Sequence, residues 1–238
     1  MKVEIWSDYI CPFCYIGKRR FEHALEKFSH RDNVAVQFRS YQLDPTARHI
    51  PEKNFAETFS ELKGMPLEQV YTMNEQMADQ AKEVGLTYHF DTMKYSNTFD
   101  AHRITKLAAA NGKEAALAER FFHAYFTDSE LLSDKETLIR LAAEIGLDQE
   151  EAKDVLDGGK FRSKVNEDIE LAKQLGVEGV PFFVFNEKYA VSGAQPEATF
   201  TQVLEKVWQE EQEQPILQSL TPNEKKTSYC TGDGCENE

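Results

Sequence analysis

The chain has 238 residues, 41% of them hydrophobic and 11% aromatic, which suits one large packed domain or a domain carrying an insertion. With 27 Lys and Arg against 41 Asp and Glu, the formal charge of −14 disfavours nucleic acid and anionic membrane surfaces as partners. No apolar run nears the roughly 20 residues of a membrane span, and the N-terminus lacks the basic-then-apolar pattern of a secretory signal, so a cytoplasmic protein is expected.

The first predicted element is a strand over 3–7. It runs through Asp8, a turn former, into Cys11-Pro12-Phe13-Cys14 and then a helix over 15–28, where Phe21, Leu25 and Phe28 recur at helical spacing. Val34, Val36 and Phe38 alternate with polar residues and predict a second strand over 34–41. A helical crossover between two strands makes a βαβ unit with parallel pairing and a right-handed connection.

Beyond Leu43-Asp44-Pro45 the period turns helical, with helices expected over 67–84, 98–111, 113–126, 134–145, 149–156 and 160–175. A capping box at Ser133-Asp134-Lys135-Glu136, an N-cap at Asp148 and stops at Gly112, Gly146, Gly158 and Gly176 mark their ends. The aromatic run 121–126 reads as core rather than as a peptide groove.

Strand character returns over 180–185 and 189–191, joined by Asn186-Glu187-Lys188 as a hairpin, and a last helix over 197–210 carries Phe200, Val203, Leu204 and Val207 on one face. From 214 the chain is polar and without period, which predicts a flexible tail. The expected organisation is a first part over 1–45, an all-helical insertion over 46–175, a second part over 176–213, and the tail over 214–238.

The four cysteines fall into two close pairs, Cys11/Cys14 and Cys230/Cys235, an arrangement that in a reducing compartment points to catalysis or metal binding rather than to structural disulfides. Two cysteines separated by two residues at the first turn of a helix can close a short disulfide, and the free N–H groups there stabilise a thiolate on the first. Cys11 is therefore the expected nucleophile and Cys14 the resolving thiol, with Pro12 suited to the first helical position and Phe13 offering no charge.

The order of elements resembles the DsbA-like branch of the thioredoxin superfamily, an α/β thioredoxin-like fold with a large all-helical insertion. The segments 8–17, 97–103 and 176–183 are most similar to FrnE-type thiol–disulfide oxidoreductases. That resemblance implies a cis peptide at Val180-Pro181 facing the two cysteines, a second redox pair at Cys230/Cys235, and substrate contacts from Val180, Pro12, Phe13 and His102. It also implies disulfide-bonded or thiol proteins and peptides as substrates, a low-molecular-weight thiol or thioredoxin-type reductant as partner, and no cofactor.

Phe13 stands where DsbA has histidine, so a donor near the thiolate is missing. Each lost pKa unit is about 1.4 kcal/mol, or about 30 mV for a two-electron couple, and the site is expected to be less oxidising than DsbA. For His102-Arg103 the plainer reading is a partly buried helix residue beside a surface charge or ion-pair partner.

Two alternatives stay open at this level. One is a glutathione-dependent isomerase or transferase of the kappa or chromene carboxylate type, whose members resemble this chain but carry serine at the Cys11 position. The other is a zinc protein using all four cysteines. Phosphate-binding glycine loops, a serine nucleophile elbow and His-Glu-x-x-His are absent from the sequence.

Overall fold

The computed structural model describes residues 1–213 and, as backbone, the short stretches 229–231 and 234–236. The strand β1 (Lys2–Ser7) leads to α1 (Pro12–Lys27) and then β2 (Ala35–Ser40), which pairs parallel with β1 from Lys2 opposite Ala35 to Ser7 opposite Ser40. The antiparallel hairpin of β3 (Phe182–Phe185) and β4 (Tyr189–Ser192) completes a four-stranded sheet in the order β2-β1-β3-β4.

As the central strand, β1 buries both of its faces. Val3 and Ile5 join Phe183, Phe185 and Phe21 of α1 on one side, together with Phe200 and Leu204 of α9 (Glu197–Gln212). Trp6, on the opposite side, packs with Phe182, Val184 and Ala172 of α8 (Arg162–Gln174). The period of 2 in the strands and 3.6 in the helices thus yields a helix, sheet, helix sandwich. β3 begins at Phe182 rather than at Val180, because Pro181 has no N–H to give to a ladder.

The helical segment between the two halves comprises α2 (Phe55–Lys63), α3 (Leu67–Glu83), α4 (Phe99–Ala110), α5 (Glu114–Phe126), α6 (Lys135–Glu144), α7 (Gln149–Asp157) and α8. α2 is absent from the sequence reading, although Asn54 and Glu57 form a reciprocal capping box there. Conversely, the box expected at Ser133-Glu136 does not form: Asp134 is itself the N-cap and accepts from Thr137 N at 2.8 Å. Asp148 caps α7 as expected, accepting from Glu151 N. Phe121, Phe122, Tyr125 and Phe126 are fully buried core, while His123 points outward.

Arg103, read from the sequence as a surface charge or an ion-pair partner, pairs with Asp100. It is fully buried in α4, and its guanidinium bonds the carbonyls of Val155, Gly158 and Lys160 as well as Asp100, closing the C-terminal end of α7. A second buried charge cluster ties α4 and α8 to the sheet edge. There Asp168 accepts from Arg39, Lys106 and Ser40 N, and Arg39 also pairs with Glu4.

The helix α1 is fastened to α5 through Glu119, which accepts from Tyr15 Oη and Arg19 at 2.6 Å each and from Lys18. Burial opposes ionisation of Glu119, yet Lys18, Tyr15 and Arg19 outweigh it and hold the carboxyl down at about 2, against 4.5 ordinarily. A carboxyl depressed on folding stabilises the native state above its unfolded pKa, and that stability is lost as pH falls through the folded one. Glu119→Gln is therefore expected to cost about 1–2 kcal/mol at pH 7, discounted for the partial exposure of the carboxylate. In urea unfolding, the gap from wild type should shrink between pH 4.5 and about 2; a gap constant over that window would contradict this account.

At the C-terminus two short strands are present that the sequence reading does not include. β5 (Tyr229–Thr231) and β6 (Gly234–Glu236) pair antiparallel with Cys230 opposite Cys235. The remainder of the tail, expected to be flexible, lies outside the described residues.

Candidate active site

The turn after β1 sets the site. Cys11 N–H donates to Asp8 O at 3.0 Å, and Cys11 then takes the N-cap position of α1 in extended conformation, with Pro12 directly following. A proline here sacrifices no helical hydrogen bond. Cys14 N–H returns to Cys11 O at 3.0 Å, so one turn of helix places both thiols on the same end of the element.

Both cysteines are free, and both are buried, Cys11 at 4% exposure and Cys14 at 2%. Burial pushes the Cys14 thiol well up, and the neighbouring Cys11 sulfur adds to this; the Asp8 backbone N–H and the Ser7 hydroxyl pull the other way without reversing it. Cys14 is thereby held as a thiol beneath Cys11.

The loop before β3 closes over Cys11. Val180-Pro181 is cis, and Cys11 Sγ lies 3.5 Å from the Val180 carbonyl. Gly17 is what lets α1 come this close: a Cβ there would stand 2.9 Å from Pro181 Cγ and 3.3 Å from Ala194 Cα. Val180 and Pro12 are half-buried, and Phe13 is exposed.

His102 is 3% exposed, and its Nε2 faces Asp8 Oδ1 at 3.6 Å with neither atom hydrogen-bonded. Asp8 shapes the turn as expected, and its fully buried carboxylate also accepts from Leu43 N at 2.7 Å.

One contributor escapes the sequence reading, Tyr88. Tyr88 Oη donates to Pro12 O at 2.8 Å from a connection with no helical or strand period, while its ring stacks on Phe126 at 4.4 Å. Burial raises the Tyr88 phenol well above its ordinary value, with the Cys11 sulfur adding to this, which keeps it a donor. Its only sequence signal is an aromatic cluster, Tyr88 and Phe90, between the expected helices 67–84 and 98–111.

Among the described residues no group of three or more His, Cys, Asp or Glu side chains is placed to hold a metal ion. The four-cysteine zinc alternative draws on Cys230 and Cys235, whose side chains lie outside those described. No helix among the described residues is long and apolar enough to cross a membrane.

Residues 2–205 match the DSBA-like thioredoxin domain. A probable DsbA oxidoreductase from Streptomyces coelicolor is 38% identical, covers 100% of this chain and 99% of its own, and superposes with a TM-score of 0.84. A 2-hydroxychromene-2-carboxylate isomerase is 14% identical over 91% of this chain and 100% of its own, with a TM-score of 0.65. The cytosolic disulfide reductase DsbM from Pseudomonas aeruginosa, solved with GSH, is 18% identical over 88% of this chain and 100% of its own, with a TM-score of 0.55. At these last two identities the likeness is one of fold.

Proposed function

The chain belongs to the DsbA-like thioredoxin domain family, and we propose that it is a thiol–disulfide oxidoreductase working through Cys11 and Cys14. The observation that carries this is the pairing of a thiol at a helix N-cap, beside the Val180 carbonyl, with a second thiol held protonated one turn below it. The Cys11 thiolate attacks one sulfur of a substrate disulfide, forms a mixed disulfide and expels the other sulfur as a thiolate. Cys14 then loses its proton and attacks Cys11, which releases the second substrate thiol and leaves a Cys11–Cys14 disulfide.

Two electrons from a low-molecular-weight thiol or a thioredoxin-type reductant reset the pair. The Pseudomonas protein is a cytosolic disulfide reductase solved with GSH, and a cytosolic setting with glutathione as the reductant belongs to the same proposal. The Val180 backbone, with the exposed Phe13 and the half-buried Pro12, supplies the contact surface for an extended substrate segment.

A relay to the tail is the second part of the proposal. Directly opposed residues of an antiparallel pair have Cα atoms about 4.5–5.5 Å apart, inside the range that a disulfide spans, and this is the register of Cys230 and Cys235. Insulin reduction coupled to glutathione tests both parts. Wild type should turn over, and changing Cys230 and Cys235 together to Ser should alter turnover with insulin while leaving Cys11 reactive toward a small disulfide. Unaltered turnover in the double variant would remove the relay, and no turnover in wild type would remove the exchange reaction.

A further inference from the structure

Beside the cysteine helix lies a groove that the reaction above does not use. It is a cavity of about 260 Å³ between α3 and the connection that follows it, lined by Tyr71, Asn74, Glu75, Tyr88, Phe90 and Asp91. Its connection to the site is a single hydrogen bond, because Tyr88 forms part of its wall and donates its hydroxyl to the Pro12 carbonyl at 2.8 Å. A substrate chain held at Cys11 therefore passes one tyrosine side chain from the groove.

Three features define what the groove takes. Its volume falls below the roughly 300–1,000 Å³ of pockets that enclose whole small molecules, so it suits one side chain. Its floor is aromatic, with Tyr88 and Phe90 buried and meeting edge to face at 5.7 Å, and Tyr71 standing 43% exposed at its side. Its rim is acidic: Glu75 and Asp91 are exposed, and among the described residues neither pairs with a basic group.

Asn74, 5% exposed, also lines the groove. An aliphatic occupant would use the floor and leave the carboxylates idle. A long basic side chain uses both, laying its stem on the rings and its charge between them and the rim.

Resting on the disulfide exchange proposed above, we infer that this groove is a specificity subsite for a lysine or arginine side chain flanking the substrate's cysteine. The chain's overall charge of −14 also attracts cations, so the assignment is to these two carboxylates and not to the acidic surface at large.

The test uses reduced full-length protein and short peptides whose single cysteine is capped by 5-thio-2-nitrobenzoate, with lysine, norleucine or glutamate as neighbour. Attack by Cys11 releases the coloured thiolate, and stopped-flow rates give the lysine-to-norleucine ratio. The expected ratio is about tenfold at low salt, a size typical of a cation over aromatic rings with a carboxylate beside it. It should fall to about twofold in the Glu75→Gln, Asp91→Asn double variant and persist in a Glu150→Gln, Glu151→Gln control of equal net charge on α7. An equal ratio in both variants, or no lysine preference while norleucine peptides react, would overturn the subsite and leave the exchange reaction standing. Absence of release from every peptide would overturn the exchange reaction and the subsite with it.

Discussion

Cys11→Ser is expected to lower disulfide exchange by about a thousandfold or more, since a serine hydroxyl at this position offers no comparable nucleophile. Cys14→Ser should behave differently. The first attack still occurs at Cys11, which the structure places at the N-cap beside Val180, but the buried thiol that would displace the substrate is gone. Mixed disulfides should accumulate and appear as adducts on a non-reducing gel with insulin, vanishing on reduction. Equal loss in both variants with no trapped adduct would contradict the assignment of attack to Cys11 and resolution to Cys14.

The second large effect is on stability. Arg103→Met is expected to cost about 3–5 kcal/mol, the range for removing one partner from a buried charged network. It strips the carbonyls of Val155, Gly158 and Lys160 of their donor and leaves Asp100 without its cation. Arg103→Lys should recover only part, since an ammonium cannot reproduce a fork that serves three carbonyls and a carboxylate. Urea unfolding at pH 7 measures both; a loss below about 1 kcal/mol in the methionine variant would show that the α7 terminus is satisfied by other means.

The same arginine shows where sequence reasoning stops. A lone His102-Arg103 on a helix reads as a partly buried residue beside a surface charge or ion-pair partner; the pair with Asp100 is local, but nothing local reports that the end of α7, over fifty residues later, draws on the same guanidinium. The strands and most helices were legible because Val34, Val36, Phe38 and the 3.6-residue patterns encode one buried face each. α2 was not, since its period is short and its capping box, Asn54 with Glu57, precedes a run of only nine residues.

The site divides in the same way. Cys11 and Cys14 follow from spacing, whereas the closeness of Val180 to Cys11 depends on the absent side chain of Gly17, and the contribution of Tyr88 depends on a bond across 76 positions. Such contacts leave no periodic trace. His102 shows the reverse, a site residue implied by resemblance that folding turns inward toward Asp8.

The most direct test of disulfide exchange through Cys11 and Cys14 is an equilibrium titration of the protein against mixtures of reduced and oxidised glutathione, with the state of these two residues read by alkylation and mass spectrometry. One two-electron transition is expected, with a slope of about 30 mV per tenfold change and a midpoint below the roughly −120 mV of DsbA, producing a Cys11–Cys14 disulfide. A pair that stays dithiol throughout, or that yields only a glutathione adduct on Cys11 without an intramolecular disulfide, would contradict the proposed mechanism.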